Sequence, residues 1–517
     1  MSTRSLVAYR FYEEGLRSYG RGDYRAAERL LDAALAEDSS FAMAAFYLVM
    51  TRIASGSSSQ PPDVWERVAA LAERAPERER LVIRGTWALL ASRAELKAVA
   101  DTLASHYPAE VDGPYLQGYA RLHNAEFLAA IPYFQRVLVM DSLGLSGESP
   151  RCRACDAITQ LVYAYSALDS LPAAERLARD YVRRQPRSAR AWSSLAGVLL
   201  AEHRHDEAIE AQRTATSINP VNSYDRVFPA IIWMQRGEFE EADRLTRQLM
   251  KDGGPVDARE ARWALGISLR YQARWREALS LVREALAAFS AAERARGEDR
   301  GLRTMEALIL LESGQARAAA AVWDSVVRRV APTLAPGSPA ARFFTFHYTL
   351  LATAHAAAGD TVRLAAAVDA AANWAAKSVN RRDTCLADHA RGLLLTARGD
   401  TSGAIAAFER ALYSPTNGFT RTNRDLGTLL LARGRAADAI RVLGAALRGA
   451  SLEAGNLYVT HTELHELLAR AYDTTGMADS ALVHYQYVAS ALAGSDPGAK
   501  DRYEVARRWI ETRGAVR

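Results

Sequence analysis

Small and bulky apolar residues recur at a fixed interval between Ala191 and Ala285, with polar positions between them. Ala208, Ala242 and Ala278 mark equivalent places in three consecutive units, 34 and 36 residues apart. Within each unit the apolar positions show the spacing of two amphipathic helices that are separated by a short turn. A period of this length, built from two helices, predicts stacked helical hairpins in which each hairpin contacts its neighbours.

The same pattern extends over nearly the whole chain, beginning at about Val7. It is least regular in residues 41–107, where we predict two degenerate hairpins, and it becomes regular again at Tyr115. We therefore predict an all-α solenoid of about ten or eleven antiparallel helical hairpins. At 517 residues the chain is longer than one compact core usually covers, which also favours an extended array.

Three prolines, Pro332, Pro336 and Pro339, fall in one short stretch and indicate a break in the array. A polar amphipathic helix near the C-terminus suits a cap for the last apolar face. The expected segments are an N-terminal array over residues 1–330, a Pro-rich hinge over 331–341, a C-terminal array over 342–495 and a capping helix over 496–517.

The repeating pattern resembles the tetratricopeptide repeat (TPR), as in Trp192, Leu195, Ala196 and Leu199 followed by Ala208 and Pro220. Residues 5–27 are also similar to TPR regions attached to bacterial serine/threonine kinases and transcriptional activators. The resemblance implies a TPR superhelix that binds a peptide or protein in its concave groove. It further implies a scaffold, or the sensor or docking module of a bacterial regulatory protein in signal transduction.

In the TPR family the first helix of each hairpin lines the groove. Carried onto this sequence, the groove positions hold Tyr115, Tyr119, Tyr163, Arg190, Tyr224, Trp263, Arg270, Arg421 and Arg424. Aromatic and arginine side chains contribute strongly to protein interfaces, although the aromatic ones could equally pack between hairpins. We expect Arg270, Arg421 and Arg424 to be exposed, because an unpaired buried guanidinium is costly.

Cys152 and Cys155 form a Cys-x-x-Cys motif just ahead of a predicted helix, where backbone amides lower a thiol pKa. Three interpretations stay open for this pair: packed thiols, a local disulfide, and a redox- or metal-responsive site. The alternative to a scaffold is therefore a redox- or metal-responsive regulator. Cys385 is distant from the pair in sequence and is predicted to lie in the core.

Catalytic signatures are absent from the sequence. None of the four lysines follows a glycine, which excludes a Gly-Lys phosphate loop, and neither His-Arg-Asp nor Asp-Phe-Gly occurs. His461 and His465 lie four residues apart, but the zinc-protease pattern is incomplete, so we expect packing or surface roles for them. We predict no enzyme activity, no metal and no cofactor.

The net charge is +5 and the isoelectric point about 9.0, yet acidic residues accompany the arginines along the chain. No basic block is interleaved with aromatic residues, so nucleic acid is not an expected partner. The sequence has no apolar window long enough to span a membrane. We expect a cytoplasmic chain as given, or an extracytoplasmic one if it is excised from a membrane-anchored parent.

Overall fold

A computed structural model describes residues 2–55, 62–91, 94–146, 152–220, 222–295, 297–334, 337–449 and 459–513. Within these ranges it contains 29 α-helices and two 3-10 turns, and no β-strand. The all-α solenoid expected from the pattern is confirmed. In the same ranges no helix combines the length and the apolar character that crossing a membrane requires.

The chain divides into two compact units, Met1–Arg226 and Val227–Arg517. The first unit contains α1 (Leu6–Arg21), α2 (Tyr24–Glu37), α3 (Ala42–Ala54), α4 (Pro62–Glu73), α5 (Glu77–Leu90), α6 (Leu96–His106), α7 (Asp112–His123), α8 (Phe127–Met140), α9 (Ser142–Ser146), α10 (Arg153–Ala167), α11 (Leu171–Arg184), α12 (Ala189–Ala201) and α13 (His205–Ile218). The boundary falls within α14 (Ser223–Arg236).

The second unit contains the remaining helices: α15 (Phe239–Asp252), α16 (Pro255–Tyr271), α17 (Trp275–Ala287), α18 (Ala291–Ala295), α19 (Arg300–Glu312), α20 (Ala316–Val330), α21 (Ser338–Ala357), α22 (Thr361–Ala375), α23 (Arg381–Ala397), α24 (Thr401–Ala411), α25 (Thr420–Ala432), α26 (Ala436–Leu447), α27 (His461–Thr474), α28 (Ala478–Leu492) and α29 (Lys500–Arg513). The 3-10 turns are Ala331–Thr333 and Pro497–Ala499.

Within the described residues, the helices other than α9, α18 and α29 form 13 consecutive pairs. Eleven of these pairs share one turn, in which a residue with positive φ follows the first helix. The next residue then donates its N–H to the carbonyl five positions back, which caps the helix. The turn residues are Gly22, Ala125, Asp169, His203, Gly237, Ala273, Gly314, Gly359, Gly399, Gly434 and Gly476. The described residues thus form 13 hairpins where about ten or eleven were predicted, and eleven of the 13 have the regular turn.

The two pairs outside this count, α3–α4 and α5–α6, lie in residues 41–107, the stretch predicted to be irregular. Their connections include residues 56–61 and 92–93, which are outside the described residues.

Small residues form the seam inside each hairpin. A Cβ atom added to Gly392 in α23 would lie 2.6 Å from the ring of Phe408 in α24, and one added to Gly427 would lie 2.7 Å from Leu443. On the second helices, Ala208, Ala242 and Ala278 are fully buried. Close crossing of the two helices therefore depends on these small side chains.

The last hairpin of the first unit returns to its first hairpin. Asn219, which follows α13, donates from Nδ2 to the carbonyl of Gly22 in the α1–α2 turn, at 2.9 Å. The second unit closes in a similar way: Thr462 Oγ1 donates to Tyr271 O at 2.7 Å, and Tyr487 OH to Met234 O at 2.8 Å. In each unit, residues near the end of the unit thus contact residues near its start.

The Pro-rich stretch 331–341 lies within the second unit. Val326 and Val330 of α20 pack against Phe343 of α21 across it. Pro336 is outside the described residues. The hinge at residues 331–341 stays a prediction. The two units are distinguished by the contacts within them, whereas a hinge concerns relative motion, which these contacts do not test.

At the C-terminal end, Trp509 of α29 stacks on Tyr485 of α28 with ring centroids 4.6 Å apart.

Candidate functional site

Tyrosine and arginine side chains from several first helices converge on a cavity of about 150 Å³ inside the first unit. We call it the first-unit cavity. Its polar and aromatic lining includes Tyr19 of α1, Tyr47 of α3, Tyr115 and Tyr119 of α7, Arg153 and Asp156 of α10, Arg190 of α12, and the two cysteines Cys152 and Cys155.

Two carboxylates hold the arginines of this cavity. Arg153 contacts Asp112 Oδ1 through Nη2 at 2.5 Å and Asp156 Oδ2 through Nη1 at 2.7 Å. Arg190 Nη1 lies 2.5 Å from the other oxygen of Asp156. Burial disfavours the charge of Arg153, but the two carboxylates outweigh this effect and raise its pKa above the ordinary value. The cavity therefore presents two charged guanidinium groups whose charges are compensated.

The guanidinium of Arg153 also lies over the ring of Tyr115, 4.3 Å from its centroid. This contact fixes the tyrosine ring and the arginine relative to each other. Burial raises the pKa of Tyr115, as does the nearby charge of Asp156. Its phenol is thus a neutral hydroxyl at physiological pH, able both to donate and to accept a hydrogen bond.

Cys152 and Cys155 form a disulfide at the start of α10. Cys152 is the N-cap residue, and its Sγ accepts a hydrogen bond from the N–H of Cys155 at 3.0 Å. Of the interpretations left open by the sequence, the structure has the local disulfide. Cys385 is a buried free thiol, as predicted, and burial raises its pKa to about 11. Within the described ranges, no group of three or more His, Cys, Asp or Glu side chains is placed to hold a metal ion.

A second cavity, of about 290 Å³, lies between α16, α19 and α21 of the second unit. We call it the second-unit cavity. Trp263, Ile267 and Arg270 contribute from α16, and Phe346 and His347 from α21. Two predicted groove residues, Trp263 and Arg270, are therefore neighbours here.

The expectation that Arg270 and Arg421 are exposed is wrong. Their exposed fractions are 3% and 5%. Arg270 is buried because Glu312 faces it, with Nε 3.0 Å from Glu312 Oε2. Arg421 lies close enough to Glu312 and Glu463 for its charge to favour their ionised forms. The unit's closure turns these first-helix positions inward, where acidic partners from other hairpins compensate them.

Arg424 is partly exposed, with 38% of its side chain accessible, and pairs with Asp425 at 2.7 Å. Tyr163 packs edge-on against Phe127 at 6.0 Å between ring centroids. Tyr224 is 50% exposed. Neither tyrosine lines the first-unit cavity.

The structure thus brings Tyr115, Tyr119 and Arg190 together with the disulfide. Sequence reasoning missed Tyr19, Tyr47, Arg153 and Asp156 as members of the same cluster. All four lie on first helices of hairpins. Scanning every first helix for tyrosine and charged residues could have found them, but not the closure that brings α1 close to α12.

A family model described as tetratricopeptide repeat matches residues 12–56 and 159–223, both within the first unit. The search of curated proteins finds no match to this sequence.

Similar solved structures include three that align with most of their own length. The Cut9–Hcn1 hetero-tetramer of APC/C is 14% identical, with 95% of this chain and 94% of that chain covered and a TM-score of 0.30. The human IFIT1 dimer with PPP-AAAA is 15% identical, covering 83% and 95%, with a TM-score of 0.36. A tetratricopeptide repeat protein from Parabacteroides merdae is 10% identical, covering 62% and 98%, with a TM-score of 0.30.

Scores at this level carry no argument about the chain's shape or ligands. The assignment rests on the family match in the first unit and on the hairpin turn and small-residue seam, which recur through both units. The chain therefore carries tetratricopeptide repeats in residues 12–56 and 159–223, and helical hairpins with the same turn continue through its second unit.

Proposed function

We propose that the protein is a non-enzymatic interaction scaffold that binds a peptide or protein segment at the concave face of its first unit, through the first-unit cavity. Tetratricopeptide repeats imply protein–protein interaction, because stacked hairpins expose a continuous surface lined by successive first helices. The lack of catalytic signatures in the sequence supports a non-enzymatic role.

One observation carries the proposal: four tyrosines and two arginines from five helices converge on one cavity. Tyrosine and arginine are enriched among the residues that dominate binding energy, because they combine apolar area with directed hydrogen bonds. Asp112 and Asp156 already compensate Arg153 and Arg190. The cavity therefore favours an inserted side chain with an apolar body and a hydrogen-bonding end over a bare anion.

The finer role, as the sensor or docking module of a bacterial regulatory protein, is part of the proposal. It is supported by the similarity of residues 5–27 to TPR regions attached to bacterial kinases and transcriptional activators. Of the remaining groove positions, Tyr163 and Tyr224 lie in the first unit, and Trp263, Arg270, Arg421 and Arg424 lie in the second.

Selection of a displayed random peptide library against the full chain tests the proposal. Peptides that bind should lose about tenfold or more in affinity for Tyr119→Ala, since truncating an aromatic residue that dominates the binding energy costs about 2 kcal/mol or more. Tyr224→Ala is the matched control, because Tyr224 is a tyrosine on a first helix outside the cavity lining. Equal loss in both variants, or none in Tyr119→Ala, contradicts the assignment to this cavity.

The disulfide favours a second candidate function, a redox-responsive regulator. Cys152 and Cys155 line the same cavity as the tyrosines, and Arg153 stands between them in sequence. An external dithiol would reduce the disulfide to two thiols and itself become a disulfide, which frees the start of α10 from its cross-link. The test is peptide affinity with and without dithiothreitol, together with a thiol titration. Unchanged affinity after both thiols have become titratable would remove this candidate.

A further inference from the structure

The second-unit cavity combines apolar walls with one cation that has no carboxylate of its own. Trp263, Ile267, Met305 and Phe346 supply the apolar lining. Arg270 also borders the cavity, but its charge is compensated by Glu312. The cation without a hydrogen-bonded carboxylate is Arg300, the first residue of α19.

Arg300 makes no hydrogen bond or ion pair to any of the described residues. The adjacent carboxylate, Asp299, is fully buried and is held by Arg329 at 2.7 Å and Arg303 at 3.4 Å. Although Arg300 is exposed, partial burial of its guanidinium lowers its pKa, and the nearby charge of Asp299 only partly opposes this shift. An anion bound beside it would restore a charge partner.

His347 offers a second polar contact on the cavity wall. It is 5% exposed, and its Nδ1 lies 2.8 Å from the carbonyl oxygen of Phe343. Because a carbonyl can only accept, Nδ1 carries the proton and Nε2 is the acceptor. Nε2 is buried and has no hydrogen-bond partner among the described residues. A buried acceptor without a partner is costly, and a ligand hydroxyl or N–H would satisfy it.

Arg300 and His347 both line the second-unit cavity. The charge of Arg300 is one of the causes that lower the pKa of His347, after burial. The second-unit cavity thus offers a guanidinium as a hydrogen-bond donor and a neutral imidazole as an acceptor. The arginines of the first-unit cavity differ because each is already paired with a carboxylate.

We propose that the second-unit cavity binds a small amphipathic monocarboxylate, whose carboxylate pairs with Arg300, whose apolar body lies against Trp263 and Phe346, and whose hydroxyl or N–H donates to His347 Nε2. A volume of about 290 Å³ accommodates a small organic acid rather than a folded partner. The single uncompensated arginine fits one carboxylate. This inference is independent of the peptide site proposed for the first unit.

Isothermal titration of the full chain with three probes tests it: para-hydroxyphenylpropionate, its amide para-hydroxyphenylpropionamide, and phenylpropionate. The hydroxy acid should bind most tightly. The amide should bind about tenfold more weakly because it lacks the charge that pairs with Arg300. Phenylpropionate should bind more weakly than the hydroxy acid because it lacks the hydroxyl donor.

Two variants assign these preferences to residues. Arg300→Met should abolish the preference for the acid over the amide, and His347→Phe should abolish the preference for the hydroxylated acid. Arg328→Met is the matched control, because Arg328 has 73% of its side chain exposed and lies outside the cavity. It should leave all three affinities unchanged.

Equal binding of acid and amide to the natural chain overturns the proposal, and so does an acid preference that persists in Arg300→Met. No binding of either acid at millimolar concentration also overturns it. If His347→Phe fails to fold, Arg300→Met still decides the matter, since Arg300 is exposed and its substitution leaves the core unchanged. None of these results bears on the peptide site of the first unit, which the Tyr119→Ala variant tests separately.

Discussion

Arg270 and Glu312 form an ion pair inside the second unit, with only 2% and 7% of their side chains exposed. Arg270 Nε lies 3.0 Å from Glu312 Oε2, and the two residues come from neighbouring hairpins, α16 and α19. The pair therefore ties one first helix to the next across the interior of the unit.

Removing one member of this pair should destabilise the second unit strongly. Glu312→Gln leaves the Arg270 charge buried without its main partner, which costs about 3–5 kcal/mol. The double variant Arg270→Met with Glu312→Leu should lose much less, because no buried charge remains. Urea unfolding followed by circular dichroism measures both. A double variant as unstable as Glu312→Gln would show that an unpaired buried charge is not what destabilises the single variant.

The seam glycines give a prediction in which two identical substitutions have opposite signs. Gly392→Ala should destabilise the chain by about 1–3 kcal/mol, because the added Cβ meets the buried Phe408 ring at 2.6 Å. Gly197→Ala, also inside a first helix, meets nothing within 4 Å and should stabilise by up to about 1 kcal/mol through helix propensity. Thermal melting of the two variants provides the comparison, and a gain in stability for Gly392→Ala would argue against a tight seam.

The hairpin turns give a second paired prediction. Gly399 has φ of +79° with open space around its Cα, so Gly399→Ala should cost about 1 kcal/mol for purely conformational reasons. His203 occupies the same turn position with φ of 58° and is exposed, so His203→Gly should be neutral or stabilising. Melting temperatures of both variants test the assignment; destabilisation by His203→Gly would mean that its side chain contributes more than the turn conformation costs.

The fold could be predicted from the repeat period because each hairpin is determined by features close together in sequence. These features are two amphipathic stretches, a small residue at Ala208 or its equivalent, and a turn. The irregular stretch 41–107 was also recognisable, since its pattern departs from the period. What the sequence did not reveal is closure. The contact of Asn219 with Gly22 joins residues almost two hundred positions apart, and small rotations accumulated over many repeats decide whether such a contact forms.

The contacts that close each unit also explain why only some properties of the site residues could be predicted. Tyr115, Tyr119 and Arg190 were identifiable from their first-helix positions, whereas Tyr163 and Tyr224, chosen by the same rule, lie outside the cavity. The burial of Arg270 was not, because its partner Glu312 belongs to another hairpin and is recognisable only once the helices are placed. Likewise, nothing in the Cys-x-x-Cys spacing distinguished a disulfide from two thiols.

His389 should make the second unit sensitive to mild acid. It is fully buried, and burial lowers its pKa from 6.5 to about 4; the carboxylate of Asp425 opposes this shift and the charge of Arg421 adds to it. Between pH 6.5 and about pH 4, His389 therefore binds a proton in the unfolded chain but not in the folded chain. Stability should therefore fall as the pH falls from about 6.5 to 4, by about 3 kcal/mol for this residue.

His389→Gln should flatten the dependence of unfolding free energy on pH in that window, while keeping a side chain able to bond Thr422, whose Oγ1 lies 2.9 Å from His389 Nδ1. His106→Gln, at a side chain that is 54% exposed, is the control and should change the slope little. Urea titrations at several pH values measure the slope. An unchanged slope in His389→Gln would mean that the folded state accommodates the protonated ring.

The disulfide should contribute modest stability to the first unit, and serine substitutions isolate that contribution. Cys152 Sγ accepts the capping hydrogen bond from Cys155 N–H, and serine at the same N-cap position retains an acceptor. Cys152→Ser with Cys155→Ser should therefore lose the cross-link alone, about 1–2 kcal/mol for so short a loop. Cys152→Ala with Cys155→Ser should lose about 1 kcal/mol more, because the cap is lost as well. Urea unfolding of both variants beside the natural chain in dithiothreitol makes the comparison, and the serine variant should match the reduced chain. If it matches the oxidised chain instead, the cross-link adds nothing to folding, and its presence beside Tyr115 and Arg190 would have to be explained by what it does to binding.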